Sequence, residues 1–205
     1  MRHGQSEWNA LGRWQGQADP PLSDLGRAQA RAAAKSLGSL DAVFASDLQR
    51  ATETALIIAE QLGLGPVILD EDLRERHAGE WSGLTRDEIH ERYPGYLPDD
   101  RHSAFAPDAG APKRPPGWEP DEQLRERVLR ALERIHEALP DGDVLAVTHG
   151  GVIYVLEDHL GDGFHRLANG EGRWIEIDDD NKLVLGDRVL LVNDDGTPVT
   201  VPDQL

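Results

Sequence analysis

The chain has 205 residues, 39% hydrophobic and 29% charged, enough to bury one core of ordinary domain size, which excludes wholesale disorder. Its 21 Lys+Arg against 38 Asp+Glu give a formal charge of −17, which excludes a general binder of nucleic acid or anionic membrane, since both demand a cationic face. There is no cysteine, so disulfide scaffolds, cysteine zinc sites and cysteine nucleophiles are excluded as well.

The elements follow in chain order. Ser23-Asp24 opens a predicted helix rich in Ala, Leu, Arg and Gln that stops at Gly38. Ala42–Ala45 reads as a short buried strand. Ser46 or Asp47 is expected to cap a second helix running to Gly63, with Ala51, Ala55, Ile58 and Leu62 at helical spacing. Val67–Leu69 is a further strand candidate. Residues 94–120 hold seven of the thirteen prolines and no periodicity, the signature of a lid or substrate loop. Leu124, Val128, Leu132, Ile135 and Leu139 then mark one apolar stripe on a helix from Asp121 to Leu139. Val144–Thr148 is a buried strand feeding a helix from Gly150 onward. Three strand-like runs close the chain, Trp174–Ile177, Lys182–Leu185 and Arg188–Asn193, separated by an acidic turn and by Gly186-Asp187. They are expected to form a β-hairpin or meander.

This alternation predicts an α/β protein, a three-layer α/β/α arrangement with a mostly parallel central sheet, formed by residues 1–205 as a single domain. The longest apolar stretch is too short to span a bilayer, and no basic-plus-apolar signal segment opens the chain, so a cytoplasmic protein is expected.

Four segments carry residues suited to chemistry. Arg2-His3-Gly4, followed by Ser6, Asn9 and Trp14-Gln15-Gly16, offers a cation, an imidazole and close backbone approach to an anion. Ser46 to Ala55 places Arg50 in the first turn of a helix, where free amides already favour an anion. Leu73 to Leu84 gathers Glu75, His77 and Glu80 with two glycines, Gly79 and Gly83, and a carboxyl group there can act as a general acid. Val144 to Gly151 is an apolar strand emptying into His149 and two glycines, at the strand end where α/β sites collect. Alone, the first segment also fits a solvated tail, the second a surface arginine and the fourth a structural histidine, whereas Gly79 and Gly83 argue against a charged surface helix for the third.

Together and in this order the four segments resemble the histidine phosphatase superfamily, the phosphoglycerate-mutase-like group marked by Arg-His-Gly, over the whole chain. The resemblance implies that His3 is the nucleophile, that Arg2, Arg50 and His149 hold the phosphoryl oxygens, and that Glu75 rather than Glu80 is the proton donor. It also implies that Asn9, Gln15, Gly16 and Gly150 line the phosphate or substrate pocket. In such relatives Arg-His-Gly ends a central strand, and here only Met1 precedes Arg2, so the first strand is expected to be truncated.

Those residue types suit phosphoryl transfer, in which fixed cations offset charge on three oxygens while a neutral imidazole attacks. No metal or cofactor is expected, and no HExxH-like spacing occurs among the eight histidines. The resemblance further implies a phosphomonoester hydrolase rather than a phosphoglycerate-type mutase, because Arg86, Arg92, Arg101 and Arg114 are scattered where mutases of the family carry an arginine pair, and Pro115-Pro116-Gly117-Trp118-Glu119 is similar to a stretch of the phosphatase branch. A catalytically weakened binder of phosphorylated ligands is the third reading, motivated by the short first strand. The expected partner is a small phosphorylated substrate, without nucleic acid or membrane, and a homodimer is left open.

Overall fold

The computed structural model describes residues 1–97, 113–178, 180–192 and 196–202. A short helix α1 (Glu7–Ala10) is closed by a capping box between Ser6 and Asn9. Helix α2 (Asp24–Ser36) starts at the predicted cap, Ser23, whose hydroxyl accepts from the Gly26 amide. Strand β1 (Ala42–Ala45) leads into α3 (Gln49–Leu62), which ends on Gly63 in the left-handed conformation. Helix α3 begins later than Ser46 or Asp47. Leu48 sits at its cap position with no side-chain cap bond, because Asp47 is engaged in an ion pair with Arg74 and the Ser46 hydroxyl accepts from the Leu48 amide.

Strand β2 is the two-residue edge Ile68–Leu69. Two single 3₁₀ turns, Glu71–Leu73 and Gly79–Trp81, and the helix α4 (Arg86–Arg92) follow. Of the proline-rich stretch, residues 98–112 lie outside the described residues, so the proposed lid is only partly placed. Its last part packs against the second 3₁₀ turn, with Trp118 bridged to Ala78 and the Glu80 amide donating to the Pro116 carbonyl. Helix α5 (Asp121–Ala138), strand β3 (Val144–Val147) and helix α6 (Gly150–His159) agree with the periodic pattern.

The sheet is parallel, ordered β2-β1-β3. Successive side chains of a strand face opposite ways: Val43 and Ala45 pack on α2 and α3, whereas Phe44 packs toward Ala131 and Ile135 of α5. Leu124 and Val128 of α5 in turn pack on Val152, Val155 and Leu156 of α6. The result is the three-layer α/β/α architecture.

The chain end is a hairpin of two strands, β4 (Glu171–Ile177) and β5 (Leu183–Leu190), rather than a three-strand meander. Gly186-Asp187 makes no turn. The strand continues through them because Gly186 lies against the Trp174 side chain, where a Cβ would come within 2.9 Å of the Trp174 Cβ, and a register shift between Arg173 and Ile175 takes up the irregularity. The acidic turn closes on itself, Asp178 Oδ1 accepting from the amides of Asp180 and Lys182.

Between β3 and β4 runs the extended stretch of residues 1–3. The Met1 α-amino group donates to the Ala146 carbonyl at 2.6 Å, the Thr148 amide to Met1, the His3 amide to Thr148 and the Arg2 amide to Glu171. That amino group is buried and its pKa is pushed down to about 5 by loss of water. No described helix is long and apolar enough to cross a membrane.

Candidate active site

The ends of three chain segments converge at the carboxyl edge of β1 and β3. His3 follows the short run beside Thr148, Arg50 stands in the first turn of α3, and His149 is the residue from which α6 departs. All are buried: His3 is 1% exposed, Arg50 and His149 0%, and Arg2 6%. The two imidazole rings meet edge to face with centroids 5.1 Å apart.

The tautomer of His3 follows from its partners. Its Nδ1 lies 2.6 Å from the Gly4 carbonyl, which can only accept, so Nδ1 carries the proton and Nε2 keeps a lone pair. Arg50 Nε donates to that Nε2 at 3.3 Å, while its two terminal nitrogens donate to the carbonyls of Ala18 (2.8 Å) and Gly16 (2.9 Å). Burial, then the charges of Arg50 and Arg2, hold the pKa of His3 well below 6.5. Burial and the same cations act on His149 in the same direction. Burial also lowers Arg2, and brings Arg50 down to about 10. Neutral imidazoles beside guanidinium groups are therefore the stable state at neutral pH. Arg2 Nε and both ring nitrogens of His149 are buried without a hydrogen-bond partner, as groups awaiting an anion would be.

Over this cluster opens a cavity of about 350 Å³, walled by Arg2, Gln15, Gly16, Glu75, Gly150 and Tyr154 among others. The Glu75 carboxylate accepts from the amides of Arg76 (2.8 Å) and Gly151 (3.1 Å). Gly151 is required by that approach, since a Cβ there would stand 2.3 Å from Glu75 Oε1. Gly16 has φ +52 and its carbonyl serves Arg50. The Gln15 side-chain Oε1 accepts from the Ser6 hydroxyl at 2.7 Å. Glu80 is directed elsewhere, accepting from the Tyr93 hydroxyl. Trp14 and Trp118 form one side of the cavity, and Arg76 and Arg114 both stack over the Trp118 ring, at 5.4 and 4.6 Å from its centroid.

Of the residues singled out in the sequence, Arg2, His3, Arg50, Glu75, His149, Gln15, Gly16 and Gly150 come together here. Asn9, like His3, Arg50 and His149, is not among the residues that wall the cavity. It sits behind His3, its Oδ1 taken by the Ser6 amide and by Asn169 Nδ2. Asn169 also donates to the His3 carbonyl at 3.0 Å and is a supporting residue that no local sequence pattern marks. Among the described residues no three His, Asp or Glu side chains converge as ligands for a metal ion.

The neutral histidines make the folded state acid-sensitive. Because their folded pKa values lie below the unfolded value, their contribution to stability is complete above pH 6.5 and is lost as pH falls below it. Denaturant unfolding at pH 7 and pH 5.5 is expected to show stability lower by at least about 2 kcal/mol at the acid value. A flat profile over that interval would mean that the two imidazoles are not held neutral.

The family model of the histidine phosphatase superfamily (branch 1) matches residues 1–184. A metal-independent phosphoserine phosphatase of Arabidopsis thaliana is 41% identical over 159 residues, 76% of this chain and 65% of that protein. The phosphoglycerate mutase-like protein 4 of the same plant is 39% identical over 159 residues, 76% of this chain and 67% of that one. Among solved structures, a mycobacterial glucosyl-3-phosphoglycerate phosphatase in complex with VO3 superimposes with a TM-score of 0.74 at 32% identity, covering 90% of this chain and 94% of that one. With the family model spanning most of its length and its histidines and arginines gathered at one strand edge, this chain belongs to the histidine phosphatase superfamily.

Proposed function

We propose that this protein is a phosphomonoesterase that needs no metal ion, and that His3 is its nucleophile. The observation that carries this is the His3 imidazole itself, neutral, fixed through Nδ1 to the Gly4 carbonyl and presenting Nε2 among Arg2, Arg50 and His149. An incoming phosphoryl group exchanges the Arg50–His3 hydrogen bond for one from Arg50 to a phosphoryl oxygen, and Arg2 and His149 take the others. Nε2 then forms a bond to phosphorus as the ester P–O bond breaks, and the Glu75 carboxyl group gives its proton to the departing alkoxide. Water next attacks the phosphohistidine, Glu75 takes a proton from it, and His3 and inorganic phosphate are regenerated. Gln15, the backbone at Gly16 and Gly150 serve as the walls that orient the ester.

The substrate is a small phosphorylated molecule, and the cavity favours one carrying a second anionic group. Arg76 is already paired with Asp121 at 2.6 Å. Arg114 lines the same cavity, held by stacking on Trp118, and no described carboxylate lies within ion-pair distance of it. Phosphate release from p-nitrophenyl phosphate and from phosphorylated carboxylic acids, with EDTA present, tests the reading, and no release from any of them would refute it. Arg114→Met is expected to raise KM for a phosphorylated carboxylic acid about tenfold, the worth of one charge-assisted hydrogen bond. The increase for p-nitrophenyl phosphate should be much smaller. Equal increases for both would place Arg114 outside substrate recognition.

A further inference from the structure

Arg127 lies on α5 and does not line the cavity, yet its side chain is fastened to the backbone around Glu75. A guanidinium has five N–H donors, and here all five are used. Nε donates to Glu119 Oε1 at 2.7 Å and Nη2 to Glu119 Oε2 at 2.9 Å. Nη1 donates to the carbonyls of Asp72 (2.8 Å) and Arg74 (2.6 Å), and Nη2 also to that of Glu75 (3.0 Å). Glu119 continues the clamp on the other side of Glu75, accepting from the His77 amide at 3.0 Å. One ion pair, with both side chains about nine-tenths buried, thus fixes the chain at residues 72, 74, 75 and 77.

The base of this clamp is rigid. Arg127 falls on the buried stripe of α5, between Leu124 and Ala131, and that stripe packs on the sheet and on α6. Helix α6 in turn supplies the Gly151 amide that holds the Glu75 carboxylate. The backbone of Glu75 is therefore tied to α5 and its carboxylate to α6, and the two helices pack directly on one another. A buried ion pair gives little net stability over well-packed apolar side chains. What this one supplies is a planar fork that lysine, with three donors on a flexible stem, cannot reproduce.

We infer that Arg127, braced by Glu119, is a positioning residue that sets the reach of the Glu75 carboxyl group to the leaving-group oxygen. The inference rests on Glu75 being the proton donor of the proposed reaction. It has a kinetic signature that a merely structural role lacks. A nitrophenolate departs without being protonated, whereas an alkoxide does not, so misplacing the acid penalises alkyl esters selectively. The parameter kcat/KM covers only the steps up to release of the alcohol, which keeps hydrolysis of the phosphoenzyme out of the comparison.

The experiment measures kcat/KM for p-nitrophenyl phosphate and for an alkyl phosphate in the native protein, Arg127→Lys, Glu119→Gln, Glu75→Gln and the Glu75→Gln/Arg127→Lys pair. Arg127→Lys keeps the charge, which separates positioning from the effect of that charge on His149. Its loss on the alkyl ester is expected to exceed its loss on the nitrophenyl ester by about tenfold or more, the scale of a sub-ångström displacement. Glu119→Gln should act in the same direction. On the alkyl ester the double variant should be no slower than Glu75→Gln alone, because both changes remove one proton transfer. Should Arg127→Lys and Glu119→Gln slow both esters equally, or neither, while Glu75→Gln is selective, the positioning role is overturned. Should Glu75→Gln itself fail to discriminate between the esters, the assignment of Glu75 as the acid falls first.

Discussion

Replacing His3 with alanine is expected to lower kcat for phosphomonoesters by a factor on the order of 10⁴ to 10⁶, the scale on which an enzyme loses its covalent nucleophile. The expectation follows from geometry: His3 Nε2 is a lone pair held in place through Nδ1 and surrounded by two guanidinium groups, and no other described side chain in the cluster has such an arrangement. His149 has no comparable bond from the protein that fixes one ring nitrogen as donor and leaves the other as nucleophile. Activity measurement on His3→Ala, with circular dichroism to confirm folding, checks this. A variant retaining a tenth of native kcat would show that another group attacks phosphorus.

Arg50→Met should be the next most damaging change, lowering kcat by about 10² to 10³, the usual cost of removing one preorganised donor from a developing charge. Arg50 is fully buried, and its terminal nitrogens are aimed by the Gly16 and Ala18 carbonyls. A second effect separates this role from general damage. Arg50 is, after burial, the largest cause of the low pKa of His3. Without that charge the pKa of His3 rises, and the acid limb of kcat/KM should move to higher pH. A kcat within about threefold of native, with an unmoved acid limb, would contradict the electrostatic role.

The fold was largely legible because its signals are local. Ser23 before an Ala-rich run, the stripe from Leu124 to Ile135 and the apolar run before His149 each declare an element within one segment. The candidate-site residues were legible for a related reason: Arg2-His3-Gly4, Arg50, Glu75 and His149 are polar or charged groups placed at the ends of apolar or helical runs. What escaped were residues whose roles depend on partners far away in sequence. Asn169 meets His3 across 166 positions, and Arg127 meets Glu75 across 52. No periodicity reports such contacts. Arg127 did leave a trace, an arginine at a core position of an amphipathic stripe, which is anomalous unless it is paired. The Gly186-Asp187 turn failed for the opposite reason. A glycine in a strand marks close approach as readily as a turn, and here the neighbour is Trp174.

The proposed reaction is a double displacement at phosphorus, in which His3 takes the phosphoryl group before water does. The stereochemical course reports this directly and does not require the phosphoenzyme to accumulate. A phosphorothioate monoester made chiral at phosphorus with oxygen isotopes, hydrolysed by the native protein in isotopically labelled water, should give product with overall retention, since two in-line steps each invert. Overall inversion would mean a single attack by water and would remove His3 as the carrier.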